Sequence, residues 1–375
     1  MKTRLTLPAL VIGLSASATC ALAGPKYDNG SGGQMWWYGQ IDPSILSAND
    51  GQDTITEFVD NNSSNTRAGI WIVQPYDNGM EFSFNFETAL GFAESSGLNQ
   101  LNAGTRDVWD WDQRDIRKAD LRLKTAFGTF WAGQGSMASD GAGQVDLSGT
   151  TLVNYVSIAD VAGGILLRRG NGTLSGITIG SAFASFDGGR FGRVRYQTPE
   201  FAGFSVSAAW GQDILNKDSD AEIWDAALRY GNSFGDVTVS AAMGYQSLMR
   251  PGSPDRNDTF FSASALHASG VNVTFATGER NTAGSYWYLK AGYRADWLAV
   301  GETALAVDYY SGDGMALTGP ATSSSSDVWG VGVVQGFDDL NLETYLGYRL
   351  YSFDDNSGAS YQDASTILLG ARWKF

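Results

Sequence analysis

The chain has 375 residues, of which 43% are hydrophobic and 13% aromatic, with 47 glycines and only 8 prolines. Its formal net charge of −15 argues against a nucleic-acid partner. No apolar run after the first 25 residues approaches the roughly 20 residues that a membrane-spanning helix needs. A composition rich in glycine and aromatic residues but poor in proline favours a protein of many strands and turns.

The first 23 residues are predicted to be a secretory signal peptide. Lys2 and Arg4 form its positive start, followed by an apolar segment and the small-residue cleavage site 21–23. Cys20 is the only cysteine, so the predicted mature chain, 24–375, would carry no disulfide or thiol chemistry. Removal of the signal leaves 23 basic residues against 40 acidic ones, a balance compatible with an acidic, cation-binding outer surface.

Strands are expected from residue 34 onwards, because apolar and polar residues alternate there with a period of two. A first strand is predicted over 34–46, a polar loop through Asn65, and a second strand over 66–74. A turn at 75–79 precedes the clearest alternation in the chain. In that strand Phe82, Phe84 and Phe86 take one face, and the other face carries Glu81, Ser83, Asn85 and Glu87.

The last strand, 365–375, continues this pattern to the final residue. One face carries Ile367, Leu369, Ala371, Trp373 and Phe375. Leu368 is the one residue out of phase. An edge strand of a soluble β-sandwich is the alternative, but a soluble sheet would end before an exposed aromatic residue. In a transmembrane barrel the apolar face meets lipid and aromatic residues lie at the interface.

The linkers between predicted strands alternate between short and long. Counting strands in this way gives sixteen, with both termini on the short-turn side, although poor patterning over 258–279 leaves the count open. Short turns on one side and long loops on the other are typical of outer-membrane barrels. The predicted fold is therefore all-β: a transmembrane antiparallel β-barrel of about 16 strands, wide enough for an aqueous lumen.

The longest linker, 136–188, is predicted to fold into that lumen. It carries many apolar residues, which need a surface to pack against, and the inner wall of the barrel is the surface available. A loop folded inward would narrow the lumen and set its selectivity. Residues 163–183 could form an extra hairpin, which would change the strand count.

Two stretches resemble the general porins of Gram-negative outer membranes. F-G-T-F-W-A-G-Q at 127–134 is similar to the hairpin that precedes the porin constriction loop, and 193–211 is similar to the hairpin that follows it. The resemblance implies a sixteen-stranded multi-pass barrel in the outer membrane, a homotrimer, and passive diffusion of ions and small hydrophilic solutes rather than catalysis. A substrate-specific channel on the same barrel is the alternative. The loop departs from the family, because it is longer than expected and lacks the short acidic motifs of some members.

The candidate pore constriction opposes acidic loop residues to basic wall residues, because charge clusters at a constriction select solutes by sign. The basic residues share the predicted lumen-facing phase of their strands. The loop residues are Asp140, Asp146 and Asp160, and the wall residues are Arg67, Arg122, Lys124, Arg193 and Arg195.

Other chemistry has weaker support. His267 is the only histidine, and it lies in a poorly patterned strand, where a catalytic role is not expected. The carboxylates around 107–115 are either a loop-bound Ca²⁺ site or solvated loop charges, and the corresponding porin loop often contacts a neighbouring subunit. No other metal site and no cofactor is predicted.

Overall fold

The computed structural model describes residues 25–375, so the predicted signal peptide lies outside the described residues. Within that range sixteen antiparallel strands form a closed barrel, as predicted. The strands are β1, Gln34–Ile41 with Pro43–Asn49; β2, Thr54–Asp60 with Arg67–Pro75; β3, Glu81–Ala89; β4, Ile116–Thr125; β5, Gly128–Ser136; β6, Arg190–Gln197; β7, Phe204–Gln212; β8, Glu222–Phe234; β9, Val237–Met249; β10, Arg256–His267; β11, Val271–Arg280; β12, Gly284–Leu298; β13, Gly301–Asp313; β14, Ser324–Phe337; β15, Leu342–Asp355; and β16, Ala364–Lys374.

Short elements complete the description of 25–375. A two-residue strand, Tyr27–Asp28, pairs with the start of β1. The 3₁₀ helices are Asn62–Ser64, Ser95–Gly97, Gln113–Asp115 and Asp338–Leu340, and the α-helices are α1, Ala159–Ala162, and α2, Ile179–Ala182. No helix in this range is long and apolar enough to cross a membrane.

The barrel closes where β16 meets β1. β16 pairs with β15 on one side and with both parts of β1 on the other. The backbone N–H of Phe375 donates to the carbonyl oxygen of Gly39 at 3.0 Å, and that of Gly39 donates back at 2.9 Å. A closed sheet has no unpaired edge, so every strand has a hydrogen-bonding neighbour on both sides.

The first hairpin differs from the prediction. The polar loop expected over 47–65 is wrong, because 54–60 pairs with the second half of β1. The alternating β-branched and aromatic residues of this segment favour a strand although it is rich in polar residues. The chain then leaves the sheet at 61–66, where the side chain of Asn61 caps a short 3₁₀ helix, before β2 resumes at Arg67.

The two faces of the wall follow the predicted alternation. In β3, Phe82 points outward and is 39% exposed, whereas Ser83 points inward and is fully buried. In β16, Ile367 and Leu369 point outward. Leu368, the residue out of phase with its polar neighbours, points inward, where it joins an apolar core beneath the long loop.

That core lies between the inner wall and residues 137–189, hereafter the lumen loop. The loop contains α1, α2 and a hairpin, Leu166–Arg168 with Leu174–Thr178, which forms a separate two-stranded sheet and leaves the barrel count at sixteen. Loop side chains pack against aromatic residues of β10, β12, β13 and β15. The buried loop members include Val153, Val156, Ile158, Phe183 and Phe186, and the wall members include Phe260, Tyr288, Tyr310 and Tyr351.

Glycines in β14 and β15 make room for the loop. A Cβ atom on Gly332 would lie 2.0 Å from Oδ1 of Asn154, and one on Gly347 would lie 2.7 Å from Cβ of Val153. Both distances are too short for non-bonded atoms. The missing side chains therefore form a shallow seat in the wall that positions the first half of the lumen loop.

Candidate functional site

Buried polar contacts fix the lumen loop to the wall from β8 to β15. On β8, the Asp225 carboxylate accepts hydrogen bonds from the backbone N–H groups of Ala138 and Ser139, at 3.1 and 2.6 Å. On β12, Lys290 forms a buried ion pair with Asp146 of the loop. Buried charges are costly unless they are paired and hydrogen-bonded, so these contacts hold the loop in one place.

The wall that faces the first residues of the loop is basic. We call the following residues the basic wall: Arg67 on β2, Arg117 and Lys118 on β4, Arg190 and Arg195 on β6, and Arg229 on β8. All six side chains are half-buried or exposed. They form one electrostatic group, because Arg117 lies close enough to interact with Arg190, and Arg195 with Arg229.

Nearby carboxylates partly neutralise this group, and Glu87 does so through direct ion pairs. Glu87 on β3 pairs with Nε of Arg117 at 2.7 Å and with Nζ of Lys118 at 3.2 Å, and it accepts a hydrogen bond from the Tyr38 hydroxyl at 2.8 Å. Arg67 forms no ion pair within residues 25–375, and it donates to the carbonyl oxygen of Asn65 at 3.1 Å. The six cations of the basic wall therefore outnumber the carboxylates that form ion pairs with them, Glu87 and Asp140.

The start of the lumen loop lies against the basic wall. An Asp140 carboxylate oxygen is 3.9 Å from Nη2 of Arg190. Arg229 donates to the carbonyl oxygens of Ala138 and Asp140, at 2.8 and 2.9 Å, and Arg195 donates to that of Met137 at 3.0 Å. Of the predicted constriction residues, Asp140, Arg67 and Arg195 thus lie at this one site.

The other predicted loop residues lie elsewhere. Asp146 is buried in its ion pair with Lys290, with only 4% of its side chain exposed, which corrects its predicted place as a charge facing the lumen. Asp160 is half-buried in α1, which packs against the 3₁₀ helix Ser95–Gly97 through a 2.7 Å hydrogen bond from Ser95 Oγ to the Asp160 carbonyl oxygen. Burial, together with the nearby Glu94 carboxylate, raises the pKa of Asp160 to about 7.

Three predicted wall residues lie outside the basic wall. Arg193 is buried with 2% of its side chain exposed and pairs with Asp120 at 2.5 Å, so its predicted role as a free lumen charge is corrected. Arg122 pairs with Glu81. Lys124 is exposed at the short-turn end of β4. The alternation along a strand predicts which face a side chain takes. It does not predict how deeply that side chain is buried or where along the lumen it lies.

Four residues of the basic wall were missed. Arg229 was in the lumen-facing phase of its strand, so the signal was present in the sequence. Lys118 was in the lumen-facing phase as well, because it pairs with Glu87 in the regular register. Arg117 also turns inward, because the pairing of β3 with β4 shifts register beyond Glu87 and leaves Arg117 as an extra residue. Arg190 begins a strand directly after two glycines, where alternation gives no information.

The remaining candidates show no site. Among residues 25–375, no three aspartate, glutamate, histidine or cysteine side chains come close enough to hold a metal ion. Asp112 instead pairs with Arg114 at 2.7 Å and caps the helix Gln113–Asp115. His267 is exposed next to a turn, with its Nδ1 2.8 Å from Ser269 Oγ.

Comparison with solved structures gives the same barrel. The anion-selective porin from Comamonas acidovorans matches with a TM-score of 0.61 at 14% identity, over 92% of this chain and 100% of that one. Salmonella typhi OmpF in complex with daunomycin matches with a TM-score of 0.57 at 14% identity, over 94% and 100%. In-vitro folded OmpT of Vibrio cholerae, in its trimer form, matches with a TM-score of 0.53 at 18% identity, over 92% and 99%.

No curated protein sequence matches the chain. The family model described as Gram-negative porin, however, matches residues 9–356, which is nearly the whole chain. The chain therefore belongs to the Gram-negative porin family, and it is an outer-membrane β-barrel channel for the passive diffusion of small hydrophilic solutes.

Proposed function

We propose that this porin prefers anionic solutes. The observation that carries the proposal is the basic wall. Among residues 25–375, its six cationic side chains have two carboxylates within ion-pair distance, Glu87 and Asp140, while Asp187 and Asp225 interact with Arg229 from further away. Partly exposed charges of one sign in a narrow, low-dielectric passage raise the local concentration of the opposite ion. This local field outweighs the acidic balance of the whole chain. The anion-selective porin among the similar structures has the same fold.

A planar bilayer in a KCl gradient tests this preference through the reversal potential of the current. We expect chloride to permeate more readily than potassium, and the double variant Arg195→Gln/Arg229→Gln to lose most of this preference. Lys217→Gln, at an exposed position in the long loop between β7 and β8, removes a positive charge that is not part of the basic wall and serves as the control. Equal permeability of both ions in the unaltered protein would exclude the proposal.

We also propose that the protein is a homotrimer in the outer membrane, as OmpT is in the similar trimer structure. Support comes from the loop between β3 and β4, where Leu101, Val108 and Trp109 are 74%, 70% and 63% exposed. Apolar side chains exposed on a loop outside the lipid layer are typical of a protein interface. Crosslinking the native protein in membranes should yield trimers, and a Val108→Asp/Trp109→Asp variant should yield fewer.

We further propose that the protein has no catalytic activity of its own and needs no cofactor. Among residues 25–375, the side chain of its single histidine has only the Ser269 hydroxyl and backbone N–H as partners, and these lie at an exposed turn. A catalytic triad needs a carboxylate to orient the histidine.

A further inference from the structure

Three tryptophans and two arginines lie side by side along the inner face of β1, β2, β4, β5 and β6. We call this set the tryptophan–arginine belt; its members are Trp36, Trp71, Arg122, Trp131 and Arg195. The Trp36 and Trp71 rings stack with centroids 6.4 Å apart and an interplanar angle of 26°. The Arg122 guanidinium lies 5.4 Å from the centroid of Trp71, and that of Arg195 lies 4.7 Å from the centroid of Trp131.

The strand register places the three tryptophans on the lumen side. Residues directly opposite each other on antiparallel strands share a face. Trp36 pairs with Trp71, which pairs with the fully buried, inward-facing Asn85. Trp131 pairs with both Arg122 and Arg195, and Arg122 pairs with the inward-facing Ser83. All three tryptophans are half-buried, so part of each is open to solutes, and Nζ of Lys26 lies 5.1 Å from the centroid of the Trp36 ring.

The belt continues the basic wall towards the short-turn end of the barrel. Arg195 belongs to both sets, and above it the lumen loop begins at Met137, whose carbonyl oxygen it contacts. Trp131 and Arg122 flank the short turn between β4 and β5. A solute that passes the basic wall therefore meets the belt next.

Both arginines are held in place by their neighbours. Arg122 donates through Nε to Ser83 Oγ at 2.9 Å and pairs with Glu81, while Arg195 donates to Gln197 at 2.9 Å. Nε of Arg195 is buried and has no hydrogen-bond partner in the part of the chain that the structure describes. A guanidinium stacked on an indole ring is already oriented, so it loses little freedom when it binds a carboxylate.

We propose that the tryptophan–arginine belt binds small carboxylates that carry an aromatic ring, which would make this channel favour such solutes among the anions. The solute ring packs against Trp131 or Trp71 while its carboxylate meets the neighbouring guanidinium. Aliphatic carboxylates of the same charge gain only the second contact. This inference rests on the proposed anion preference and names the solute class that the same lumen selects.

The test compares benzoate with acetate as blockers of the chloride current in planar bilayers at neutral pH, where both are ionised. We expect benzoate to reach half-block at a concentration on the order of tenfold lower than acetate, because an added aromatic contact has roughly that effect on affinity. Trp131→Leu should bring the two concentrations together, and Trp131→Phe, which keeps a ring, should preserve most of the difference.

Trp37→Leu is the matched control, since Trp37 neighbours Trp36 but points outward and is 55% exposed. It should leave the benzoate-to-acetate ratio unchanged. If Trp131→Leu yields no folded barrel, Trp71→Leu provides the same comparison. Equal half-blocking concentrations in the unaltered protein, together with an intact chloride preference, would overturn this inference alone. Loss of the chloride preference itself would instead overturn the proposed function.

Discussion

Arg349 on β15 and Asp308 on β13 form a buried ion pair across the strand that separates them. Nη2 of Arg349 lies 3.0 Å from Oδ2 of Asp308, and neither side chain is more than 2% exposed. Gly330 of β14 pairs with both residues, and a Cβ atom there would lie 2.1 Å from Oδ1 of Asp308. The pair also holds the lumen loop, because Asn154 donates to Asp308 and Arg349 donates to the Val153 carbonyl oxygen.

Gly330→Ala should therefore displace the ion pair and loosen the lumen loop. The added methyl group has no space, and overpacking a buried site costs about 1–3 kcal/mol. We expect a lower free energy of unfolding in detergent and a larger, noisier single-channel conductance. Gly176→Ala is the matched control, since a Cβ atom at Gly176 would meet no heavy atom of the described residues within 4 Å. Equal conductance in the two variants would show that the space at Gly330 and the ion pair beside it do not hold the lumen loop in place.

Lys290→Met should destabilise the protein more than the double variant Lys290→Met/Asp146→Leu. The single change leaves the Asp146 carboxylate buried without its partner, which typically costs about 3–5 kcal/mol. Replacing both charges by apolar side chains removes that penalty and should restore most of the stability. Chemical denaturation of the refolded barrel measures both effects. A double variant that is no more stable than the single one would mean that other contacts of Lys290, such as Asn154, dominate.

The barrel could be predicted from the sequence because its signal is local. Alternation along each strand is independent of distant residues, and it correctly placed Phe82 outward and the final strand in the wall. The contacts within the lumen could not be predicted in the same way. Whether Arg193 faces water or Asp120 depends on residues brought together by the closed barrel, and strand phase is the same in either case.

The inward fold of the long loop was predictable from its apolar content, but its attachment points were not. In the sequence, Gly330 and Gly332 look like any other strand glycines, because their role depends on Asn154, which the fold brings into contact with them. Nothing in the sequence around Arg168 indicates its partners, but its side chain is only 9% exposed and pairs with both Asp50 and Asp53 at 2.7 Å. Each of these contacts joins residues far apart in the sequence.

Arg168→Gln should release the loop hairpin from the long-loop rim of the barrel. Asp50 is partly desolvated, which favours its neutral form, but hydrogen bonds from Arg168 and backbone N–H groups outweigh this and lower its pKa to about 2. The stabilising contribution is therefore complete above the unfolded pKa of about 3.9 and is lost as pH falls through about 2. Hydrogen exchange of the hairpin should stay slow down to about pH 3 in the unaltered protein and be fast at neutral pH in the variant.

The exposed neighbour Arg169 provides the control for this experiment. Arg169→Gln removes the same charge one residue away and should leave hydrogen exchange of the hairpin slow. If both variants exchange alike, then the backbone pairing of Arg169 with Tyr361, rather than the ion pairs of Arg168, fixes the hairpin.

Asp160 should make the anion preference depend on pH near neutrality. Burial and the Glu94 carboxylate raise its pKa to about 7, so the side chain is neutral below that pH and adds a negative charge to the lumen above it. The chloride preference in a KCl gradient should therefore fall as pH rises from 6 to 8. Asp160→Asn should remove this change, whereas Asp218→Asn, in an exposed loop, should retain it.

Asp160 should also make the free energy of unfolding depend on pH, and the sign of this dependence follows from its raised pKa. Between the unfolded pKa of about 3.9 and the folded value, the folded state binds more protons than the unfolded state. The free energy of unfolding should therefore fall as pH rises through this window, and the slope should be smaller in Asp160→Asn. A variant that flattens the stability curve but leaves the pH dependence of ion preference intact would mean that Asp160 titrates without influencing the permeating ions.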